Sequence, residues 1–454
     1  MAKPWAVCDV LVVGGGTAAL CAAISARLAG AQVLLAEIAD RSERGGNTRH
    51  SRNFRIAHDH PARFFPGCYG QDEFIAQINR VADGENDQTL TRLLVEQSKN
   101  LPYWLESLGV LFQSVDSPTL PWSKRTAFFL GGGMAMLNQL YCKAEDIGVK
   151  IVYGLSIPEI SMTDGLAASL QPSGRGDIQT GAVIVCSGGY QANPDWLVQD
   201  LGEKARGLIN RGTRHGLGEP LASLLSQGVQ RAGSAGNCHL VAVDARSPDH
   251  DGGILTRADS ISWGIVVDSQ GKRFHDEGCD TGPTRYAVWG KKVMECIDGK
   301  AFSILDAAAV RRAPPSIFPP FTADTPEALA RLIGLPPDTL SESIAGFNQS
   351  VVVGADRTEG LLPPKSQRAA PLCEPPYCAY PIRAGITFTC QGLKVDNRAR
   401  VIMPAGPVEN LFAAGMIMAP NILGGGYLAG AAMTVGAVFG RIAGREAAAH
   451  ALFR

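Results

Sequence analysis

The sequence of 454 residues predicts an α/β fold in which a discontinuous parallel-sheet domain carries an inserted α+β domain. First, residues 8–37 form a strand, a glycine turn, a helix and a second strand in succession. Second, residues 237–376 change to hairpin-like pieces, proline pairs and short helices, and glycine-rich apolar elements return afterwards. We therefore predict that residues 1–236 and 377–454 form the parallel-sheet domain and that residues 237–376 form the inserted one.

Composition restricts the classes of function. Lys and Arg number 42 against 43 Asp and Glu, so there is no basic excess for binding nucleic acid or acidic membranes. The 52 glycines cluster in short runs, such as those at 14–16, 131–133 and 424–426, as backbone that approaches a ligand would require. The 11 cysteines show no Cys-x-x-Cys pair, and no signal peptide is evident. We predict reduced thiols in the cytoplasm, with neither a metal site nor an iron–sulfur cluster.

The stretch from Leu411 to Gly440 has no charged side chain, and about twenty apolar residues suffice to cross a bilayer. Pro420 and the three consecutive glycines at 424–426 argue against a membrane span, because lipid cannot satisfy the backbone of such a loop. We predict instead a buried strand at 411–414, a loop that contacts a ligand, and a small-residue helix from about Tyr427.

The segment Gly-Gly-Gly-Thr-Ala-Ala at 14–19 fits the dinucleotide pattern G-x-G-x-x-G/A. The first glycine permits the tight turn, the third lets the backbone approach a pyrophosphate, and Ala19 allows close packing of helix on strand. The helix that follows presents its first N–H groups to the phosphates. Glu37 ends the second strand, where a carboxylate accepts hydrogen bonds from a ribose. The predicted contacts of the turn are Gly14, Gly16, Thr17, Ala18 and Ala19.

Further glycine elements indicate which dinucleotide is bound. Arg44-Gly45-Gly46-Asn47-Thr48 follows the acid within a dozen residues, and the elements at 413–415 and 424–426 return at the far end. A nicotinamide cofactor does not require a second glycine-rich contact near the terminus. A long flavin contacted by both ends of the chain explains all three elements, so we predict FAD.

The phrases VVGGGTAAL, GGNT, CSGGYQAN and FAAG followed by LGGGYLAG occur in this order, and the chain resembles the fumarate reductase/succinate dehydrogenase flavoprotein superfamily over nearly its whole length. Longer phrases resemble those of tricarballylate dehydrogenase-like flavoproteins. They are GGNTRHSRNFR (45–55), AFFLGGG (127–133), GNCHLVAVDAR (236–246), DGGILTR (251–257) and PIRAGITFT (381–389). A related flavoprotein half occurs in a precorrin-processing enzyme.

The resemblance implies a Rossmann-like FAD-binding domain with an inserted capping domain, and hydride transfer between flavin N5 and a carbon next to a carboxylate. FAD attachment is predicted to be non-covalent, because neither His50 nor His58 lies in the context of a covalent site. Met416 stands where the superfamily generally has a glutamate near the cofactor. The further FAD contacts that the resemblance implies are Gly45, Gly46, Asn47, Thr48, Gly188, Glu219, Gly415, Gly425, Tyr427 and Leu428.

Catalytic candidates also follow from the resemblance. The phrase from Arg273 to Glu277 matches R-F-x-x-E, and Arg285 is the equivalent of the proton-transferring arginine. Arginine holds its proton tightly, so Arg285 would act with the Glu277 carboxylate; a salt bridge is the alternative. His239 is the predicted substrate-binding histidine, against a structural one. Candidate carboxylate ligands, each alternatively a solvated arginine, are Arg211, Arg214, Arg257 and Arg383.

Two departures separate the chain from fumarate reductases. Thr387 and Ile422 stand where those enzymes carry a histidine and an arginine that hold the substrate carboxylate. Our leading interpretation is an FAD-dependent dehydrogenase of a small polycarboxylate, of the tricarballylate to cis-aconitate type. Its electrons would pass to a separate acceptor such as a membrane iron–sulfur protein, with this chain cytoplasmic or peripheral to the inner membrane. The alternatives are a bulkier substrate, precorrin-type or 3-ketosteroid-type, and a non-catalytic flavin-binding subunit.

Overall fold

The computed structural model describes residues 4–116, 123–281 and 285–453 and has a mixed α/β fold, as predicted. The strands are β1 Ala6–Val13, β2 Val33–Glu37, β3 Asn53–Arg55, β4 Thr126–Phe128, β5 Lys150–Tyr153, β6 Glu159–Thr163, β7 Leu166–Gln171, β8 Ile178–Val185, β9 Ile209–Asn210, β10 Arg231–Asp244, β11 Ile265–Asp268, β12 Lys300–Leu305, β13 Phe321–Ala323, β14 Tyr377–Leu393, β15 Arg400–Met403 and β16 Gly406–Ala413. The helices are α1 Thr17–Leu28, α2 Gln71–Ala82, α3 Gln88–Ser98, α4 Leu101–Ser107, α5 Gly132–Asp146, α6 Pro194–Leu201, α7 Glu219–Ser226, α8 Arg285–Glu295, α9 Ala307–Arg312, α10 Pro326–Ile333, α11 Pro337–Ser350, α12 Pro420–Leu423 and α13 Ala431–Leu452.

The chain divides into two compact units. Unit 1 comprises Met1–Asn193, Thr213–Cys238 and Phe388–Arg454, and unit 2 comprises Pro194–Gly212 and His239–Thr387. The segment 194–212 lies in unit 2, outside the range predicted for the inserted domain. It does so because β9 pairs with β14 and the Arg211 N–H donates to the Ile386 carbonyl at 2.9 Å.

Unit 1 is built on a sheet with strand order β15-β16-β8-β1-β2-β5 in the described residues. All pairs except β15 with β16 are parallel, and the central strands are buried apolar runs, as a sheet covered on both faces requires. Val13 is in register with Ala36 and Val185, and Val185 with Ala413. The turns after β1, β8 and β16 therefore lie at one edge, where parallel sheets bind cofactors.

Two small-residue helices, α1 and α13, pack closely in unit 1. A Cβ on Gly440 would lie 2.5 Å from the Ala18 carbonyl oxygen, and one on Gly444 would lie 2.3 Å from that of Ala22. Gly440 and Gly444 are therefore required for the approach of the two backbones. No helix in the described residues is long and apolar enough to cross a membrane.

The predicted helix from about Tyr427 begins four residues later, at Ala431. Gly430 precedes it with a φ of +80° and a Cβ there would lie 2.9 Å from the Arg55 nitrogen, so the chain turns sharply before the helix can start. The charge-free stretch thus contains the end of β16, the short α12, a glycine loop and the first half of α13.

Unit 2 contains an antiparallel sheet in which β14 pairs with β12, and β12 with β11. Its core is formed by apolar side chains of this sheet and of α10 and α11, such as Ile304, Leu340 and Phe347. One of the hairpin-like pieces expected within 237–376 is the segment 263–277. Its two arms share one bridge, between Val267 and Arg273, and β11 instead pairs along its length with β12.

Candidate functional site

The turn after β1 leaves no space for side chains. Gly14 has a φ of +116°, and a Cβ there would lie 2.6 Å from the Cys186 carbonyl oxygen. A Cβ on Gly15 would lie 1.8 Å from Glu37 Oε2. Gly46 and Gly188 would instead point a Cβ into open space. The glycines thus bring backbone close together at the sheet edge and leave room beside it, which fits the cradle of a dinucleotide.

Glu37 is buried beneath this turn with an exposed fraction of 3%. Its carboxylate accepts hydrogen bonds from the N–H groups of Ala39 at 2.9 Å and Gly45 at 3.2 Å. Burial raises the pKa of Glu37, and these N–H groups oppose the rise. Tyr141, which the sequence reasoning missed, donates to the Gly15 carbonyl at 2.8 Å and lies 3.4 Å from Glu37 Oε2.

The Gly45–Thr48 segment is fixed to the start of α1. The Thr48 hydroxyl accepts the Thr17 N–H at 3.1 Å and lies 3.0 Å from the Thr17 hydroxyl. Asn47 Oδ1 accepts the Thr213 N–H at 2.9 Å. Thr17 N–H is therefore satisfied within the protein, and the next two N–H groups, of Ala18 and Ala19, have no carbonyl one turn earlier in the helix.

The C-terminal glycine elements are also closely packed. Gly415, which has a φ of +85°, follows β16, and a Cβ there would lie 2.8 Å from Ala18 Cβ. A Cβ on Gly425 would lie 2.5 Å from Asn237 Nδ2, and one on Gly426 would lie 2.0 Å from the Val81 carbonyl oxygen. The loop at 424–430, which carries Tyr427 and Leu428, is thereby seated on α2 and β10.

Arg55 fixes the other end of this loop, and sequence reasoning did not identify it. Its Nε donates to the Ala429 carbonyl at 2.9 Å, and its Nη1 donates to Tyr69 Oη and Gln77 Oε1, each at 2.8 Å. Burial lowers the pKa of Arg55. The sequence offers one signal, an arginine within the strand-like phrase at 53–55. It does not show which distant residues this arginine contacts.

In unit 2, Arg211 lies against β14. Its Nη1 donates to the Thr387 hydroxyl at 2.6 Å and its Nη2 to the Gly253 carbonyl at 2.9 Å. A Cβ on Gly385 would lie 2.8 Å from Arg211 Cδ, so this glycine makes room for the side chain. The exposed fraction of Arg211 is 7%. A guanidinium held this deep favours an anion nearby.

His239 is buried in the same unit, with an exposed fraction of 6%. Burial, supported by the positive charge of Arg211, lowers the pKa of His239 to about 3. The imidazole is therefore neutral at pH 7, with one nitrogen as donor and one as acceptor.

Arg257 is bound to a carboxylate of its own segment. Its Nε and Nη2 donate to both oxygens of Asp259 at 2.6–2.9 Å, in the fork geometry of a guanidinium–carboxylate pair. The preceding residue, Thr256, is 4% exposed, and its hydroxyl has no hydrogen-bond partner in the described part of the chain. Sequence reasoning missed Thr256, although it stands inside the DGGILTR phrase.

Glu277 is fully buried, and its carboxylate is bound to Arg273. Its carboxylate accepts from Arg273 Nε at 3.0 Å, from Arg273 Nη2 at 2.5 Å and from the Val266 N–H at 2.8 Å. Lys365, which is also fully buried, lies near this pair, and burial lowers the pKa of Lys365 to about 8. Arg285 begins α8, and its side chain lies outside the described residues.

The remaining candidates lie at several places. Arg214 forms an exposed ion pair with Glu43 at 2.7 Å, and Arg383 donates to the Gly207 carbonyl. Glu219 is exposed at the first position of α7. Ile422 is fully buried, so the position of the family's arginine holds a core side chain.

Comparisons with known proteins agree with this geometry. The family model described as FAD binding domain matches residues 9–432. A probable fumarate reductase of Shewanella frigidimarina, Ifc3, is 26% identical over 465 residues, which cover 99% of this chain and 76% of that protein. The digoxin reductase of Eggerthella lenta is 26% identical over 499 residues, which cover 97% of this chain and 87% of that protein.

Solved structures share the fold. The open conformation of a flavocytochrome c3 fumarate reductase matches with a TM-score of 0.80 at 22% identity, over 99% of this chain and 79% of that one. The 3-ketosteroid-Δ4-(5α)-dehydrogenase of Rhodococcus jostii RHA1 matches with a TM-score of 0.74 at 21% identity, over 99% and 98% of the chains.

These findings confirm the predicted FAD cofactor and the predicted class of enzyme. The glycine cradle, with buried Glu37 at one side, fits an extended dinucleotide, and the matched family supplies its identity. The chain belongs to the FAD binding domain family of fumarate reductase/succinate dehydrogenase flavoproteins and is an FAD-dependent oxidoreductase that acts on CH–CH or C=C bonds.

Proposed function

We propose that this protein is an FAD-dependent dehydrogenase of a small polycarboxylate, of the tricarballylate to cis-aconitate type. The observation that carries the proposal is the buried Arg211 guanidinium, held by Thr387 and Gly253. A positive charge in a low-dielectric environment attracts a carboxylate far more strongly than it would in water. Gly385 leaves space for the arginine side chain, and the two hydrogen bonds fix the direction of the guanidinium.

The other residues of unit 2 have distinct proposed roles. Neutral His239 donates one hydrogen bond to the substrate without adding charge, since its pKa is about 3. The Thr256 hydroxyl offers a second polar contact. Arg257 and Arg383 remain proposed carboxylate ligands, although Asp259 neutralises much of the charge of Arg257.

Oxidation of a CH–CH bond removes one hydride and one proton, and FAD supplies the hydride acceptor when it is bound. We assign the proton to a relay in which the Arg285 guanidinium takes up the substrate proton as it gives one of its own to the Glu277 carboxylate. Hydrogen bonds from Arg273 and the Val266 N–H hold that carboxylate in place.

In unit 1, the Ala18 and Ala19 N–H groups are the proposed phosphate donors and Glu37 the proposed ribose acceptor. Asn47, Gly188, Glu219, Gly415, Gly425, Tyr427 and Leu428 complete the proposed FAD contacts. We propose non-covalent attachment, with electrons leaving to a separate acceptor such as a membrane iron–sulfur protein.

Anaerobic addition of tricarballylate to the purified yellow protein tests the proposal. The oxidised flavin bands should bleach, and cis-aconitate should appear in equimolar amount with reduced flavin. Arg211→Met should lower kcat/KM by about 10- to 200-fold, because a charge-assisted hydrogen bond contributes about 1.5–3 kcal/mol. Arg357→Met, which removes an exposed arginine paired with Glu359, is the matched control and should leave turnover unchanged.

A bulkier substrate is the second candidate. It is favoured by the buried Ile422 and by Thr387, which replace the two carboxylate-holding side chains of fumarate reductases. Flavin that stays oxidised with tricarballylate, citrate and succinate but bleaches with a 3-ketosteroid or a precorrin would select this candidate. Flavin that bleaches with none of these compounds would mean that the substrate belongs to another chemical class.

A further inference from the structure

Two buried polar atoms at the sheet edge of unit 1 have no hydrogen-bond partner in the described residues. They are Ser187 Oγ and Gln191 Oε1, and the exposed fraction of Gln191 is 5%. Both lie in the turn that follows β8. Buried polar atoms in native proteins are nearly always bonded to protein, water or ligand. Their position therefore calls for a partner that the described part of the chain does not supply.

The Gln191 side chain is held in place by glycines on both sides. A Cβ on Gly216 would lie 2.2 Å from Gln191 Nε2, and a Cβ on Gly189 would lie 3.2 Å from Gln191 Oε1. The Ala192 N–H donates to the Gly216 carbonyl at 2.9 Å, and the Tyr190 N–H to the Thr389 hydroxyl at 3.2 Å. The carboxamide is thus confined by backbone that cannot carry larger side chains.

The turn that carries both atoms adjoins the dinucleotide turn. The Cys186 N–H donates to the Val13 carbonyl at 2.8 Å, and a Cβ on Gly14 would lie 2.6 Å from the Cys186 carbonyl oxygen. Strand β1 lies between β8 and β2 in the sheet. Glu37, the proposed ribose acceptor, ends β2, so Ser187 and Gln191 lie on the opposite side of the pyrophosphate turn.

We propose that Gln191 Oε1 and Ser187 Oγ bind hydroxyl groups of the ribityl chain of FAD. A carboxamide oxygen accepts from an alcohol, and a serine hydroxyl can donate or accept, so the pair suits a polyol. Glu37, at the end of β2, is the proposed acceptor for the ribose of the adenosine half of FAD, and the ribityl chain belongs to the other half. This inference rests on FAD binding and not on the identity of the oxidised substrate.

The test compares three ligands on the full-length protein after its FAD has been removed. FAD contains both halves, FMN contains the ribityl chain without adenosine, and ADP contains adenosine without ribityl. Gln191→Met keeps the length of the side chain and removes the acceptor. It should weaken FAD and FMN binding by about 3- to 10-fold, the effect of one hydrogen bond, and leave ADP binding unchanged. Ser187→Ala should act in the same way if Gln191→Met fails to fold.

A FAD analogue lacking one ribityl hydroxyl provides a second measurement. It should bind the unaltered protein more weakly than FAD does, and the two should bind the Gln191→Met or Ser187→Ala variant equally. Gln139→Met, at an exposed position of α5, is the matched control. Unchanged FAD and FMN binding in both variants would mean that water alone satisfies these atoms, and a loss confined to ADP and FAD would assign them to the adenosine ribose. Either result overturns the proposal.

Discussion

Two regions of the molecule are built in opposite ways. The first is the sheet edge of unit 1 formed by the turns after β1, β8 and β16, where we propose that FAD binds; we call it the cofactor edge. The second is the group of Arg273, Glu277 and Lys365 in unit 2, which we call the charged core. At the cofactor edge, glycines bring backbone within reach of a ligand, and a Cβ at Gly15 would collide with Glu37. In the core of unit 2, the Arg273, Glu277 and Lys365 side chains are buried together, and the cations of Arg273 and Lys365 lie over the ring of Phe347. One region depends on the absence of side chains, and the other depends on the pairing of long ones. The comparison teaches that close approach of backbone organises one region and that the pairing of buried charges organises the other.

Glu277→Gln should have the largest effect on stability. It leaves the buried Arg273 guanidinium without its carboxylate, and breaking a buried pair costs about 3–5 kcal/mol of unfolding free energy. Chemical denaturation measures the loss, and the double variant Arg273→Met/Glu277→Gln should recover part of it. A folded Glu277→Gln variant that keeps its stability and loses only turnover would show that the Arg273–Glu277 pair does not stabilise the fold.

Lys365 gives the charged core a distinctive pH dependence. Because its folded pKa of about 8 lies below the ordinary 10.5, the unfolded chain binds an extra proton between these values. Stability contributed by this lysine should therefore rise by about 1.4 kcal/mol per pH unit from pH 8 to pH 10.5 and be lost as pH falls through 8. The measurement is the difference in unfolding free energy between the unaltered protein and Lys365→Met. A difference that stays flat across this range would contradict the assignment.

Gly15→Ala tests the cofactor edge directly. The added methyl would overlap Glu37 and Tyr141, so we expect a loss of about 1–3 kcal/mol in unfolding free energy and weakened FAD binding. Gly346→Ala is the matched control, because that glycine lies within α11 with open space around it. The control should be stabilised by about 0.5–1 kcal/mol, as alanine in a helix is. Equal FAD affinity in both variants would show that the turn tolerates side chains.

Arg55→Lys should have the smallest effect. Arg55 combines features of the two regions, because it is a long charged side chain that supports the cofactor edge. Lysine keeps the charge but cannot reach Ala429, Tyr69 and Gln77 at once. We expect a loss of about 1–2 kcal/mol in unfolding free energy and a modest fall in FAD affinity, from loss of about one or two hydrogen bonds. Thermal unfolding measures the loss of stability, and fluorescence titration measures the FAD affinity. Unchanged FAD affinity would mean that the loop at 424–430 does not contribute to FAD binding.

The cofactor end was predictable because its information is local. The strand, glycine turn, helix and second strand all lie within residues 8–37, and the strands found are Ala6–Val13 and Val33–Glu37. Tyr141, Arg55 and Gln191 were missed for the opposite reason. Each makes or requires contacts with residues far along the chain, and nothing in the neighbouring residues specifies them.

The sequence by itself determined the α/β class, the FAD cofactor and the position of the glycine turn after the first strand, because backbone conformation and short-range spacing encode these features. Only the tertiary structure decided the partners of the arginines. Arg211 reaches Thr387 across 176 residues, whereas Arg257 and Arg273 pair with carboxylates two and four residues away. The physical reason is that a guanidinium side chain is long and its energy depends on burial and on the nearest anion, and the folded chain alone sets both.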